Sequence, residues 1–290
     1  MQFDVAIVGA GLVGQAIAAA LSKGADDIRI ALIDPSEPVT AGECSGVHDY
    51  DLRVSALTAQ SQAFLTDVGA WECIPHHVLS GYTRMHVWDA EGTGSVTFNA
   101  TDLHVPALGH IVENRQTLAA LNQVTESARS IERLQTAVQS FDNPDEGGWV
   151  PVTLANGNIL TTRLLVGADG ALSNVRQMSG MSPREWDYGH HAIVATVRTE
   201  QSVAQTAWQR FRPEGPLAFL PLHSDDHLAS IVWSTLPEEA DRVLAMSDKD
   251  FCAALTDAFE GKLGQVTEVS RRQRFPLRQR HASQYYEAGV

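Results

Sequence analysis

The glycine pattern Gly9-x-Gly11-x-x-Gly14 constrains the fold of this 290-residue chain more than any other feature. It lies between a short apolar run at residues 5–8 and an alanine-rich segment at residues 12–21. In such a pattern the first glycine permits a tight turn, the second lets the backbone approach a pyrophosphate, and the third lets the helix pack closely on the sheet. We therefore predict a strand, a phosphate-binding turn and a helix, followed by a second strand at residues 28–33.

Asp34 follows the predicted second strand, where an acidic side chain can accept hydrogen bonds from an adenosine ribose. The amino end of the helix adds free N–H groups and a partial positive charge that attract phosphates. Together these features predict a dinucleotide site. The residue types leave its ligand open, because an acid at this position suits both NAD and the adenosine half of FAD while it disfavours a 2′-phosphate.

A second turn of the same kind, Ala168-Asp169-Gly170, follows the apolar residues 164–167. The apolar run predicts a buried strand, and Ser173 predicts the N-cap of a short helix. This arrangement brings backbone amides and one carboxylate close to a bound polyanion. Asp169 either contacts such a ligand or caps the next turn, and the two roles are compatible.

The composition narrows the class of protein. The formal net charge of −14 argues against a nucleic-acid partner and against broad attraction to anionic lipid. Cys44, Cys73 and Cys252 lie far apart, which disfavours a disulfide framework or a zinc site and suits a reducing compartment. No window holds the roughly 18 apolar residues of a membrane span, and no signal peptide precedes the first strand, so we expect a cytoplasmic protein.

Two features between residues 35 and 128 bear on the site. Residues 35–51 are rich in Pro, Gly and acidic residues and predict a long irregular loop, which in a compact domain is usually functional or mobile. Asn114 predicts the N-cap of a helix that runs to about residue 128. Arg115 then lies at a helix amino end that does not stabilise a cation, which favours a role in facing an anion.

The pattern changes after Arg176. The predicted elements are antiparallel strands within residues 189–234, helices near residues 237–245 and 248–260, and a long strand at residues 265–275. His190 and His191 are neighbours in a strand, so we expect one to face inward and the other outward, without a metal site. The arginine-rich residues 271–280 predict a solvated strand face or, alternatively, a basic lip near a phosphate-bearing cofactor or a membrane.

Two of these segments resemble motifs of the single-component flavoprotein aromatic hydroxylases. In that class, one motif places Asp and Gly directly after a buried strand, and residues 166–176 resemble it. A second motif is an arginine segment beside the flavin, and Asp51-x-Arg53-x-x-Ala56-Leu57 resembles it. Within the class, the chain is similar to the ubiquinone-biosynthesis hydroxylases, and most similar to the 2-polyprenylphenol hydroxylase branch. This resemblance covers essentially the whole chain and rests on residues 51–57, 109–114, 186–196 and 218–222.

The resemblance implies an α/β fold with two domains. A Rossmann-like FAD-binding domain of the aromatic-hydroxylase type would comprise residues 1–74, 106–178 and 281–290. A mostly antiparallel sheet with helices, inserted as the substrate domain, would comprise residues 75–105 and 179–280.

The resemblance also implies an activity. FAD, NADPH or NADH, and O2 would generate a flavin C4a-hydroperoxide that hydroxylates the ring of a polyprenylphenol, with C5 as the expected position, while the protein excludes water. Other ubiquinone-biosynthesis proteins are possible partners, with at most peripheral contact to a membrane. Two alternatives stay open: another flavoprotein oxidoreductase, such as an isoprenoid reductase or oxidase, and a non-catalytic subunit of a biosynthetic complex.

Site residues follow from the same resemblance. The residues implied to bind FAD are Gly9, Gly11, Gly14 and Asp34 for the ADP half, Arg53 and Arg115 for the pyrophosphate or ribityl region, and Asp169 and Gly170 for the ribose and phosphate environment. Arg53 could instead pair with Asp49 or Asp51. Phe219, Leu220 and Pro221 either line an apolar substrate pocket or pack in the core, and no catalytic residue is identified.

Relatives in this family continue beyond the position of Val290 with a Gly-Asp motif and further helices. The motif holds the ribityl and pyrophosphate groups of the flavin. We therefore expect a chain truncated at its carboxyl end, inactive, and binding FAD weakly or not at all.

Overall fold

The computed structural model describes residues 1–25 and 27–290, which form seventeen strands and six α-helices. The strands are β1 (Gln2–Val8), β2 (Ile30–Ile33), β3 (Val54–Thr58), β4 (Ser80–Tyr82), β5 (Arg84–Asp89), β6 (Ser95–Asn99), β7 (Gly109–Glu113), β8 (Ile131–Leu134), β9 (Val138–Phe141), β10 (Val150–Leu154), β11 (Ile159–Gly167), β12 (Pro183–Thr199), β13 (Thr206–Phe211), β14 (Leu217–Pro221), β15 (Leu228–Thr235), β16 (Val266–Val269) and β17 (Gln273–Ala282). The helices are α1 (Leu12–Gly24), α2 (Ala59–Asp67), α3 (Asn114–Ser127), α4 (Asn174–Met178), α5 (Pro237–Leu244) and α6 (Asp248–Ala258). None of these described helices combines the length and apolar character that crossing a bilayer requires.

A six-stranded sheet carries the nucleotide half of the fold, with strand order β8-β2-β1-β11-β10-β9. The first four strands are parallel, and β10 and β9 complete the sheet as antiparallel strands. The β1–α1–β2 unit agrees with the predicted strand, helix and strand. Because both neighbours of β1 are parallel to it, the carboxyl ends of β1, β2 and β11 meet at one edge, where ligands of such sheets bind.

Strand β1 is buried on both faces, as its uninterrupted apolar sequence predicts. Ala6 and Val8 face one hydrophobic cluster with β10 and β11, whereas Val5 and Ile7 face another that includes Ala18 of α1. Alternate residues of a strand point to opposite faces, so one short strand anchors both layers of the core.

A larger, mostly antiparallel sheet has the order β16-β12-β15-β14-β13-β5-β6, and β17 pairs with β12 outside this path. The pairing of β13 with β5 is parallel, and the other pairs are antiparallel. Helices α5 and α6 cover one face of this sheet, and the core between them contains Phe219, Trp233 and Phe251. The predicted fold class, a Rossmann-like domain with an inserted antiparallel sheet and helices, is confirmed.

A three-stranded sheet, β3-β7-β4, joins the two halves. Strand β4 falls within the predicted substrate domain, yet it pairs with β7 of the predicted FAD-binding domain, as in Gly81 opposite His110. Strand β17 also runs to Ala282, two residues beyond the predicted boundary. The two-domain division itself stays a prediction.

Two local predictions are wrong. Asn114 is the first residue of α3, whose N-cap is Glu113, and its Oδ1 atom accepts a hydrogen bond from the Ser55 hydroxyl instead of capping the helix. The single strand predicted at residues 265–275 is two strands, β16 and β17, separated by residues 270–272. Both strands pair with β12 but at different places along it, so the chain must break its extended course between them.

His190 and His191 are both half-buried, and Nδ1 of His191 is a buried atom, so the expectation that one faces inward and the other outward stays a prediction. The pairing of β12 with β17 shifts between Asp187 and His191, and Gly189 has a φ of +68°. A shift of this kind can interrupt the regular alternation of inward and outward side chains on which the prediction depended.

The arginine-rich residues 271–280 form ion pairs, which agrees with the solvated strand face. The pairs are Arg272–Asp248, Arg274–Asp241, Arg278–Asp187 and Arg280–Glu185. Each acid lies on β12 or on one of the two helices that cover the large sheet. These ion pairs therefore connect elements within this half of the fold.

Phe219 provides a test of the core between the large sheet and its helices. The side chain is fully buried and its ring lies 4.0 Å from that of Phe259, centroid to centroid. We expect Phe219→Ala to lower the free energy of unfolding by about 3–5 kcal/mol, since it leaves a cavity in a packed core. Urea denaturation followed by circular dichroism measures this. Phe211→Ala is the matched control, because Phe211 is 48% exposed at the end of β13, and an equal loss in both variants would contradict this packing.

Candidate functional site

A cleft of about 470 Å³ opens at the carboxyl ends of β1, β2 and β11. Its walls come from the β1–α1 turn, from Asp34, from the turn at Ala168–Gly170 and from residues 136–138. The two sequence motifs, about 155 residues apart in the chain, therefore line one cleft. Its volume falls within the range of small-molecule sites, roughly 300–1,000 Å³.

The three glycines of the first turn differ in their surroundings. Gly9 has a φ of +102°, and a Cβ atom there would lie 2.5 Å from the Ala168 carbonyl oxygen. A Cβ atom on Gly14 would lie 1.8 Å from the carbonyl oxygen of Gly9. A Cβ atom on Gly11 would meet nothing within 4 Å. Gly9 and Gly14 are therefore required by the protein's own packing, whereas the open space at Gly11 faces the cleft.

The amino end of α1 offers uncapped backbone donors. Gly11 is the N-cap residue, no side chain caps it, and the first turn contains no acidic residue. The helix has 13 residues, so its aligned peptide dipoles place a partial positive charge at this end. These donors and this charge suit a phosphate group at the mouth of the turn.

Asp34 stabilises the turn as well as lining the cleft. Its Oδ2 accepts a hydrogen bond of 2.7 Å from the Ala10 N–H, and its Oδ1 accepts one of 2.8 Å from the Ser36 N–H. Partial burial raises the pKa of Asp34, but the hydrogen bonds from Ala10 and Ser36 outweigh burial, so its pKa lies below the ordinary value. An ionised Asp34 retains lone pairs that can accept further hydrogen bonds from ribose hydroxyls.

Asp169 has one satisfied and one unsatisfied carboxylate oxygen. Its Oδ2 accepts hydrogen bonds from the N–H groups of Asn174, at 2.7 Å, and Val175, at 3.2 Å, so it caps α4. Its Oδ1 is buried and has no hydrogen-bond partner among the described residues. Ser173 is the N-cap residue and accepts from the Arg176 N–H, as predicted. The capping role of Asp169 is thus present, and the free oxygen leaves room for the ligand role.

These features fit the ADP half of a dinucleotide. The uncapped end of α1 and the open space at Gly11 suit the diphosphate, and Asp34 lies at the end of β2 where a ribose would bind. Gly170, with a φ of +83°, adds no side chain of its own to the cleft wall. A buried carboxylate oxygen without a partner is uncommon in folded proteins and suits a hydroxyl donor.

The two arginines do not line this cleft. The Arg53 side chain is exposed and forms no ion pair within residues 1–25 and 27–290, so the alternative pairing with Asp49 or Asp51 is not found there. Its backbone is fixed at both ends, because its N–H donates to Asp51 Oδ1 at 3.1 Å and its carbonyl accepts from the Asn114 N–H at 2.9 Å. Within the described part of the chain, Arg53 therefore presents an unpaired guanidinium from a well-defined backbone.

Arg115 holds the loop before β3. Its Nη2 lies 2.7 Å from Cys44 Sγ, 2.7 Å from the Asp49 carbonyl oxygen and 3.0 Å from Glu113 Oε1. The sequence predicts that Arg115 faces an anion, and the anion that it contacts in this structure is the carboxylate of Glu113. Whether Arg115 also contacts a cofactor stays a prediction.

Residues 34–53 form a loop without helix or strand, so no backbone ladder holds it in place. Side chains of helix α3 bind the rest of this loop instead. Gln116 Nε2 donates to the Gly42 carbonyl at 2.6 Å, and Asn122 Nδ2 donates to the Val39 carbonyl at 3.1 Å. Both side chains are almost completely buried. The predicted loop is thus irregular in its backbone but attached along its length to one face of α3.

Sequence reasoning missed a buried carboxylate beside this loop. Glu113 is only 2% exposed and accepts hydrogen bonds from the Asp51 N–H, at 2.6 Å, and from the Cys44 thiol, at 2.9 Å. Burial and the nearby Glu113 carboxylate raise the pKa of the Cys44 thiol to about 12. His223 lies beside the same two side chains. No spacing in the sequence could indicate this cluster, because its members come from three distant segments.

The proposed apolar pocket residues have different surroundings. Phe219 is in the core beneath α5 and α6, which agrees with the core-packing alternative. Leu220 packs against a cluster that includes Tyr82 and Ile111, and Pro221 lines a small cavity of about 100 Å³. A role of Leu220 or Pro221 in substrate contact stays a prediction.

Gly11 and Gly14 provide a test of the cleft that separates binding from folding. We expect Gly11→Ala to change the free energy of unfolding by no more than about 1 kcal/mol, since its methyl group meets no protein atom. The same methyl group would occupy the space proposed for the diphosphate, so ADP binding should be lost. Gly14→Ala should destabilise the fold by about 1–3 kcal/mol, because its methyl group clashes with the Gly9 carbonyl.

Calorimetric titration with ADP and urea denaturation measure the two effects. ADP is the probe because the cleft contains the residues expected to bind the ADP half. Gly24→Ala, at the other end of the same helix, is the matched control, since its Cβ atom also meets nothing within 4 Å. Unchanged ADP affinity in Gly11→Ala would contradict the assignment of the cleft.

The lowered pKa of Asp34 predicts a pH dependence of stability. A carboxyl with a lower pKa in the folded than in the unfolded state stabilises the fold above the unfolded value, about 3.9, and this contribution is lost as the pH falls through the folded value. The difference in unfolding free energy between the wild type and Asp34→Asn should therefore be largest above about pH 5 and shrink in acid. Urea denaturation across this range measures it. Asp142→Asn, at an exposed site, is the control, and a difference for Asp34→Asn that stays constant with pH would contradict this role.

Comparisons with known proteins agree with this geometry. Residues 2–290 match the family described as FAD binding domain. The chain is 33% identical over 288 residues to the Escherichia coli protein named 3-demethoxyubiquinol 3-hydroxylase, covering 99% of this chain and 71% of that protein. It is 36% identical over 268 residues to human ubiquinone biosynthesis monooxygenase COQ6, covering 89% of this chain and 56% of that protein. The chain therefore spans little more than half the length of this human relative.

Solved structures show the same fold at lower identity. The structure of Pseudomonas aeruginosa PqsL in complex with 2-aminobenzoylacetate superposes with a TM-score of 0.79 at 20% identity, covering all of this chain and 77% of that one. The flavin-dependent monooxygenase PieE, in complex with FAD and substrate, gives 0.70 at 15% identity and covers all of this chain and 52% of that one. From the family match and the identities to the hydroxylases, this chain belongs to the FAD-binding-domain family of flavoprotein monooxygenases that includes the ubiquinone-biosynthesis hydroxylases.

Proposed function

We propose that this chain acts in a FAD-dependent monooxygenase that hydroxylates the aromatic ring of a polyprenylphenol during ubiquinone biosynthesis. The observation that carries the proposal is the convergence of the Gly9–Gly14 turn, Asp34 and the Asp169–Gly170 turn on one cleft. The names of the relatives from Escherichia coli and human supply the reaction class and the pathway.

The chain's own residues account for binding of the ADP half. Backbone amides at the start of α1 would hold the diphosphate, Asp34 would accept hydrogen bonds from the adenosine ribose, and Asp169 Oδ1 would accept one more from the ligand. FAD, once bound and reduced, supplies the activation of O2 for transfer of one oxygen atom to an electron-rich ring. NADPH or NADH is the proposed reductant.

Arg53 is the residue proposed to face the rest of the cofactor. Its exposed guanidinium has no competing ion pair among the described residues, and its backbone is held by Asp51 and Asn114. A guanidinium binds phosphate oxygens through charge-assisted hydrogen bonds, each worth about 1.5–3 kcal/mol. Arg115 would act from the same side, but its present partners are Glu113, Cys44 and the Asp49 carbonyl.

The ring position has two candidates. The resemblance in the sequence favours C5 of the polyprenylphenol. The name of the Escherichia coli relative instead favours position 3 of a demethoxyubiquinol. We propose C5 and treat position 3 as the second candidate. Other ubiquinone-biosynthesis proteins, and at most a peripheral contact with a membrane, are the proposed route by which so apolar a substrate arrives.

Deletion of the gene that encodes this chain tests the proposal. We expect the deletion strain to accumulate a polyprenylated precursor that lacks the C5 hydroxyl, identified by mass spectrometry of lipid extracts. Accumulation of a demethoxyubiquinol would instead support position 3. A precursor that is already hydroxylated at C5 and at position 3 would contradict the proposed function, and so would an unchanged ubiquinone content. Either result would favour a reductase, an oxidase or a non-catalytic subunit.

Complementation of the deletion strain tests the role of Arg53. Arg53→Ala should lower the affinity for FAD about tenfold or more and lower the ubiquinone content, since a charge-assisted phosphate contact is lost. Arg84→Ala is the matched control, because Arg84 is also exposed and forms no ion pair among the described residues. Equal complementation by both variants would contradict the role of Arg53.

A further inference from the structure

Three chemically distinct metal-ligating side chains meet where the loop before β3 contacts the ends of β7 and β14. Cys44 lies in that loop, Glu113 ends β7, and His223 follows β14. One ligand atom from each, the Cys44 sulfur, a Glu113 carboxylate oxygen and a His223 ring nitrogen, lie within 4.8 Å of one another. We propose that Cys44, Glu113 and His223 form a binding site for one divalent transition-metal ion, of which Zn²⁺ is the type.

The hydrogen bond between Cys44 and Glu113 marks the position of the ion. The thiol donates to Glu113 Oε2 with a sulfur–oxygen distance of 2.9 Å. A divalent ion bound at typical distances, about 2.3 Å from sulfur and 2.0–2.2 Å from oxygen, would replace the shared proton after a small separation of the two atoms. In this step the S–H bond breaks, the proton goes to solvent and a sulfur–metal bond forms, with no change of oxidation state.

His223 provides an independent indication. Its Nε2 atom is buried and has no hydrogen-bond partner among the described residues, which is uncommon for a buried polar atom. The ring packs against Tyr50, with 5.3 Å between centroids, which restricts its orientation before an ion binds. Neutral imidazole is the commonest protein ligand for metals of this type.

The charges around the site leave room for a cation. The Nη2 atom of Arg115 lies 2.7 Å from Cys44 Sγ and 3.0 Å from Glu113 Oε1. The same Oε1 atom also accepts a hydrogen bond from the Asp51 N–H. These donors orient the carboxylate and leave Oε2 to the thiol alone, as outer-shell partners do in metal sites. A thiolate and a carboxylate with one guanidinium carry a net charge of −1, which attracts a cation, and a divalent ion would bring the net charge of the site to +1.

The mixture of ligands selects the class of ion. Sulfur and nitrogen ligands favour Zn²⁺ or Co²⁺ over Mg²⁺ and Ca²⁺, which prefer oxygen. Three protein ligands would leave a fourth position for water or another small ligand. The ion would connect the loop before β3 to both sheets that flank it, and the inference does not depend on the flavin.

Titration of the tag-free 290-residue chain with Co²⁺ tests the site. We expect one equivalent to bind with a thiolate-to-cobalt charge-transfer absorption, and Zn²⁺ to displace it. Cys44→Ser should abolish the charge-transfer band, and His223→Gln should weaken binding about tenfold or more, since each removes one ligand. Cys73→Ser is the matched control and should retain the band and the stoichiometry, because Cys73 lies outside the cluster.

A second measurement needs no variant. Alkylation of the native chain followed by peptide mass spectrometry should show that Zn²⁺ protects Cys44 and leaves the modification of Cys73 unchanged. A wild-type chain without a thiolate–cobalt band, an unchanged band in Cys44→Ser, or Cys44 alkylation that Zn²⁺ does not slow would each overturn the proposal. None of these results bears on FAD or on hydroxylation, so this proposal and the proposed function fail separately.

Discussion

The parallel pairing of β1 with β11 is the interaction on which the site depends. It places Val8 opposite Gly167, so the two turns that follow lie against each other. Gly9 has no side chain, and the Ala168 carbonyl occupies the space that a Cβ atom would need. The first turn thus supports the second through backbone contact. The inner side of this turn has no space for a side chain at Gly9 or Gly14, whereas its mouth, at Gly11, is unconstrained by the protein.

The sequence predicted those parts of the fold that short-range chemistry determines. The glycine turn, the cap at Ser173 and the loop at residues 35–51 each follow from neighbouring residues, and the structure contains all three. Asn114 failed as a cap for a long-range reason, because the Ser55 hydroxyl on β3 holds its side chain. The prediction for His190 and His191 relied on a strand period of two, and the pairing of β12 with β17 shifts next to these residues.

The cluster around Glu113 could not be predicted from the sequence. Cys44 and Glu113 are 69 residues apart in the sequence and come together only through tertiary packing. A buried carboxylate is costly unless it is hydrogen-bonded or paired, and here an amide, a thiol and a guanidinium all contribute. The sequence shows the carboxylate but not its partners, so composition alone could not distinguish it from a surface acid.

The attachment of the loop to α3 has a consequence for local dynamics. Gln116 and Asn122 hold backbone carbonyls of the loop through side-chain donors, whereas no strand ladder includes the loop. Detachment of the segment around Val39 and Gly42 therefore breaks few side-chain bonds and leaves all three sheets intact. Segments of this kind open with a smaller free energy than the whole molecule. We therefore expect the amide hydrogens around Val39 and Gly42 to exchange with solvent by sub-global opening, before those of β1 and β11.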